Sequence, residues 1–157
     1  MKKTLQFVII TILSILSLNS CSSDDNSTQN DNFNDSYIKA SINGREVIFK
    51  NVSVSKRTYT NYIVYDFVAK NEANPNEYIE ISFDDEKQIG NDAVYGDLTY
   101  RINGKTYTDM RDAMFYNVTV NSNNKIEGTF YGTSEGNIQY EFVEFKNGTF
   151  KFVNYNK

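Results

Sequence analysis

A chain of 157 residues with a formal charge of -4 has room for one ordinary domain and shows no basic face for a nucleic acid. It contains no His and no Trp, and its one Cys stands at position 21. A Ser-His-Asp triad, a Cys-His pair, a His metal cluster and an internal disulfide are therefore excluded, while carboxylate pairs stay open.

The first residues read as an address. Lys2 and Lys3 precede an apolar stretch from Leu5 to Leu18, and Leu18-Asn19-Ser20 leads into Cys21. The stretch is short for a membrane span and ends in a cleavage-like site, as a signal peptide over residues 1–20 would. Small Ser20 before Cys21 resembles the lipobox of bacterial lipoproteins. The resemblance implies a cut before Cys21 and acyl chains on its sulfur and amine. The alternative is an ordinary secretory signal with a chance Cys. Cleavage would leave fourteen basic and twenty acidic residues, a net of -6. Such a chain is not drawn to an anionic bilayer by its own charge, so lipid on Cys21 would do the holding.

In residues 21–36, Cys21 is followed by Asn, Asp, Ser, Thr and Gln with Phe33 as the sole large apolar residue. The composition predicts a flexible acidic tether. Ser22-Ser23-Asp24-Asp25 resembles the surface-export signal of Bacteroidota lipoproteins, which implies lipid-anchored display at the outer membrane. A solvated acidic spacer is the plainer alternative.

From Tyr37 to residue 157 the apolar pattern has period two. Ile38, Ala40 and Ile42 alternate with polar neighbours, as do Tyr65, Phe67 and Ala69, then Ile79, Ile81 and Phe83, then Met114, Tyr116 and Val118. Half-buried strands have this pattern. The predicted strands are 37–42, 45–49, 51–59, 62–70, 77–84, 97–102, 105–108, 113–120, 125–134, 138–146 and 149–155. Asn43-Gly44, Asn103-Gly104 and Asn147-Gly148 are predicted two-residue hairpin turns, because Asn and Gly best tolerate positive φ. Residues 72–76 and 121–124 are predicted as longer turns. Asp84 to Asp97 reads as a polar loop, and Asp109 to Ala113 as one helical turn capped by Thr108. In 138–146 the apolar residues change face, which predicts a bulge or two-sided burial. Gly128 and Gly132, inside a strand, predict sharp coiling. The fold class is all-β: a single antiparallel meander that closes as a curved β-sandwich or a lipocalin-like barrel.

Lys125-Ile126-Glu127-Gly128-Thr129-Phe130 and Lys146-Asn147-Gly148-Thr149-Phe150, with Ile42-Asn43-Gly44, resemble a family of small Bacteroidota surface lipoproteins of unknown function. The resemblance implies an all-β domain behind a lipobox and a polar tether, and it carries no catalytic residues.

Arg57, Tyr59 and Tyr62 gather at one predicted hairpin end and form the candidate ligand-binding cluster: rings for stacking, Arg for hydrogen bonding. The alternative is Tyr covering an ordinary sheet. Asp84-Asp85-Glu86 with Asn91 and Asp92 offers hard oxygens, but without EF-hand spacing a solvated acidic loop is preferred. Glu141 and Glu144 are the carboxylates nearest to a glycosidase pair, and no enzyme activity is expected from them. The inward apolar rows would line either a solid core or a ligand cavity. The expectation is a membrane-anchored, non-catalytic module for a glycan or a small apolar ligand, without metal or cofactor. An envelope protein partner is the alternative, as in an accessory subunit of an outer-membrane complex.

Overall fold

A computed structural model of the chain describes residues 35–84, 89–91, 96–122, 124–137 and 140–155. The predicted signal segment, Cys21 and most of the predicted tether lie outside the described residues. Nine strands follow one another: β1 Tyr37–Ile42, β2 Arg45–Thr58, β3 Ile63–Asn71, β4 Asn74–Asp84, β5 Gly90–Asn91, β6 Gly96–Ile102, β7 Lys105–Asn121, β8 Lys125–Gly136 and β9 Phe142–Val153. Every pairing is antiparallel. Eight strands pair in chain order, and β1 pairs with β9 to close an up-and-down barrel. Short β5 sits beside β7, where Gly90 pairs with Val118. The barrel, and not the sandwich, is therefore the closed form of the meander.

Two of the three Asn-Gly turns are hairpins as predicted. Asn43 and Gly44 have φ of 48° and 81°, and Asn103 and Gly104 have 50° and 81°. Each is flanked by directly paired residues, Ile42 with Arg45 and Ile102 with Lys105.

The third Asn-Gly is a correction. Asn147-Gly148 lies inside β9, not between two strands. Lys146 pairs with Ser41 and Thr149 with Lys39, so one extra residue is looped out as a bulge. Asn147 takes the positive φ of 51°. The bulge changes which parity points inward: Val143 and Phe145 before it, Phe150 and Phe152 after it. The same device joins the predicted strands 45–49 and 51–59 into β2. Asn51, at φ 49°, is looped out there, and inward residues pass from Val47 and Phe49 to Val52.

The predicted helical turn at 109–113 is likewise corrected. The backbone stays extended in β7, which crosses from one register against β8 (Asp109 with Ser134) to another (Met114 with Gly132). Tyr140 is also not in a strand. It stands in the turn before β9 with φ 71°, so its ring and that of Phe142 stay outside while Val143 and Phe145 point in. The other end of the barrel wall is fastened by Ser36, which is buried and accepts the Val153 N–H at 3.0 Å.

Rings fill the barrel. Phe67 stacks on Phe152 at 4.0 Å, Phe83 meets Phe150 at 5.1 Å, and Tyr100 meets Phe145 edge-on at 5.7 Å. Offset and edge contacts of this kind suit the ring quadrupole. Glycines make the space. A Cβ on Gly128 would strike the Asn117 carbonyl and come within 2.5 Å of Phe150 Cζ. Gly128→Ala is expected to lower the unfolding free energy by about 1–3 kcal/mol through overpacking. Thr129→Ala, on the outward face beside it, is expected to change it by less than about 0.5 kcal/mol. Urea denaturation of both variants measures the contrast.

Candidate functional site

Outward-facing residues of β2, β3, β4 and β6 build a cleft at the end of the barrel where the β2–β3 hairpin turns. Tyr59 N–H donates to the Tyr62 carbonyl at 2.9 Å, which closes the hairpin over four residues. Its two rings stack at 4.6 Å with planes 16° apart and remain 42% and 46% exposed. The cleft has a volume of about 500 Å³ and is lined by Arg57, Tyr59, Asn61, Tyr62, Asp84 and Asp97 together with Val64 and Ser82.

Below it lies a tight polar network. Arg57 grips Asp66 with two bonds, Nε to Oδ2 at 2.7 Å and Nη2 to Oδ1 at 2.6 Å. Its remaining nitrogen, Nη1, donates to the Tyr59 hydroxyl at 3.0 Å. Ser82 Oγ donates to Asp66 at 2.7 Å. The strand registers dictate this meeting: Ser55, Asp66 and Ser82 are cross-strand partners on one face. Burial opposes the charge on Asp66, yet bonds from Arg57 and Ser82 outweigh it and hold the carboxyl below its ordinary 3.8. The same pair holds the Arg57 guanidinium firmly protonated. Glu80, on the outer face of β4, moves upward through burial and then through the charge of Asp66.

The three sequence-predicted residues are thus together, but with different roles. Tyr59 and Tyr62, stacked on each other, both line the cleft. Arg57 spends donors on Asp66 and Tyr59, so it positions a ring. Sequence reasoning missed Asp66, Ser82 and Asp97. The available signal was an acid at Asp66 within the apolar run 62–70; its partners lie on other strands.

The remaining candidates disperse. Glu141 is held by Lys105 Nζ at 2.8 Å and by the Tyr107 hydroxyl at 3.3 Å, while Glu144 pairs with Lys146 at 2.9 Å. Each carboxylate has its own lysine. Asp85, Glu86 and Asp92 lie outside the described residues, and Asp84 lines the cleft. Among the described residues no three acidic or Cys side chains are grouped as a metal site.

A second buried carboxylate, Glu77, points into the barrel near the opposite set of turns. It accepts from the Tyr100 hydroxyl at 2.6 Å and from Asn71 Nδ2 at 2.7 Å, and it pairs with Arg45. Burial opposes its charge, but these donors hold it below its ordinary 4.5. The apolar interior beside it holds the ring network. Comparison with protein-family models, curated proteins and solved structures gives no match to this chain.

Folding lowers both Asp66 and Glu77, so the unfolded chain holds protons that the folded chain releases. Their contribution to stability is complete above about pH 5 and is lost as pH falls through the lowered values. Asp66→Asn and Glu77→Gln are each expected to cost about 1–3 kcal/mol at pH 7, because buried donors lose a charged acceptor. Each is also expected to flatten the fall of stability between about pH 5 and pH 2. Denaturant midpoints measured across that range read both effects.

Proposed function

We propose that the protein is a non-catalytic binding module, held to a bacterial outer membrane by lipid on Cys21 and displayed outside the cell, that takes a neutral glycan in the Tyr59–Tyr62 cleft. The observation that carries this reading is the exposed, stacked pair of nearly parallel rings beside Asp84, Asp97 and Asn61. A pyranose has an apolar C–H face and a rim of hydroxyls. The face suits the negative centre of a Tyr ring, and the hydroxyls suit carboxylate and amide acceptors. A largely pre-formed cleft with a few convergent polar groups is the usual shape of a small-ligand site. The Arg57–Asp66 clamp supports the reading by fixing the Tyr59 hydroxyl before any ligand arrives. A small apolar ligand inside the barrel receives no such support, since the rings of Phe67, Phe83, Phe150 and Phe152 occupy that volume.

Two measurements test the parts separately. The full chain, screened against immobilised neutral oligosaccharides, is expected to bind at least one, and Tyr62→Ala to weaken that binding by about tenfold. Absence of any neutral glycan ligand, or binding indifferent to Tyr59 and Tyr62, would sink the cleft assignment. For the anchor, cells fed labelled palmitate are expected to label the wild-type chain and not Cys21→Ser. Equal labelling of both would remove Cys21 as the lipid site.

A further inference from the structure

The bulge in β9 builds a second hollow on the outer wall. Its volume is about 510 Å³, its lining includes Thr129, Tyr131, Lys146, Asn147 and Thr149, and it shares no residue with the Tyr59–Tyr62 cleft. Because one residue is looped out at Asn147, Lys146 and Asn147 both stand exposed, with Thr149 half-buried beyond them. Tyr131 faces the bulge from β8, between the pairs Phe130–Gly148 and Gly132–Phe145. Bulges that re-aim side chains in this way are concentrated next to functional sites. Tyr131 is 58% exposed and is braced from β7 by its direct partner Phe115, whose ring stacks on it at 5.1 Å with planes 20° apart. Thr149 also lines a neighbouring hollow of about 440 Å³, with Lys39, Ile48 and Lys50. The registers join the two: Thr129 pairs with Thr149, Thr149 with Lys39, and Lys39 with Ile48. The row crosses four strands, roughly 14 Å at the usual strand spacing.

The surface along this row is electrically balanced. Lys146 pairs with Glu144 at 2.9 Å and Lys39 with Glu46 at 3.8 Å, while Asp35 and Lys50 line the same hollow. Neither an anion nor a cation gains a net attraction there. The uncharged groups are the ones left open: among the described residues, the side chains of Thr129, Asn147 and Thr149 make no hydrogen bond. Each hydroxyl and the amide can both donate and accept. The hollow therefore combines one braced aromatic ring with three neutral hydrogen-bonding groups. A purely apolar ligand would leave those groups unpaired as it excluded water from them. A sugar ring meets both demands, with its C–H side for the ring and its hydroxyls for Thr and Asn.

We infer that the hollow at the β9 bulge is a separate binding site for an uncharged glycan chain. Tyr131 packs against one sugar ring, and Thr129, Asn147 and Thr149 bond its hydroxyls. The chain runs on across Thr149 toward Ile48, along the row that the registers set out. The site is made of other residues than the Tyr59–Tyr62 cleft and does not rest on the reading given to that cleft.

Affinity electrophoresis of the full chain carrying Tyr62→Ala tests the inference apart from the cleft. The probes are hydroxyethyl cellulose, galactomannan and pullulan, with polygalacturonate as the anionic comparison. At least one neutral probe is expected to retard this chain, and to do so equally from about 0.05 to about 0.5 M salt, since no charge is there to be screened. Adding Tyr131→Ala is expected to weaken the retardation about tenfold. Adding Asn147→Gly or Thr149→Val is expected to weaken it about threefold each. Gly accepts the positive φ of position 147 and Val keeps the branched shape of Thr, so both preserve the backbone, and far-UV circular dichroism verifies the fold of every variant. Four results would overturn the inference. The first is no retardation of the Tyr62→Ala chain by any neutral probe, which leaves the cleft as the sole glycan site if the wild type is retarded. The second is retardation indifferent to Tyr131, Asn147 and Thr149. The third is tighter, salt-sensitive retardation by polygalacturonate through the same residues. The fourth is a dimer in sedimentation that Tyr131→Ala dissociates, which would make this face a contact between two copies. Retardation of the wild type that Tyr131→Ala removes and Tyr62→Ala leaves intact supports this site and counts against the cleft.

Discussion

Eight strands enclose a space just wide enough for side chains to fill, and in this protein aromatic rings fill it. That packing is the constraint on which the rest depends. Phe67, Phe83, Phe130, Phe145, Phe150 and Phe152 are all essentially buried, and their rings are linked through Tyr100 and Tyr116 into one network. Rings of this size leave no room for a Cβ where two of them approach a neighbouring strand. Gly128 and Gly148 stand at such points, against Phe150 and Phe130. The bulges at Asn51 and Asn147 serve the same end, since each restores an inward apolar residue where simple alternation would have sent it out.

Two carboxylates are buried in this fold, one on each side of the barrel wall. Glu77 enters the barrel from the side of the short Asn-Gly turns and is surrounded by donors from three other strands or their ends. Asp66 lies on the outside of the wall, covered by Arg57, Ser55 and Ser82. Both are buried charges with enough hydrogen bonds to offset the cost of leaving water. Their effects differ with position. Inside the barrel, Glu77 ties β4 to the start of β2, the end of β3 and neighbouring β6. Asp66, through Arg57, fixes a hairpin tip and the tyrosines upon it.

The outside of the barrel carries two exposed ring pairs. Tyr59 and Tyr62 stack at the β2–β3 turn beside Asp84 and Asp97, and Phe115 and Tyr131 stack on β7 and β8, whose inward positions are committed to the core. A barrel wall of period two supplies an outer face whose residues can vary without disturbing the packed one.

Much of this was legible in the residues. Period-two alternation marked nearly every strand, Asn43-Gly44 and Asn103-Gly104 marked hairpins, and Gly128 and Gly132 marked sharp coiling. These are local properties: side-chain alternation and tolerance of positive φ belong to a residue and its neighbours. The sequence by itself therefore determined an antiparallel all-β meander, and the grouping of Arg57, Tyr59 and Tyr62 at one turn. Only the tertiary structure decided that Asn147-Gly148 is a bulge, that 109–113 stays extended, that β1 closes on β9, and that Asp66 and Ser82 meet Arg57. An Asn-Gly pair has the same backbone preferences in a turn and in a bulge. Which one forms depends on whether strands from elsewhere in the chain pair on both sides of it, and at Asn147 both β1 and β8 do.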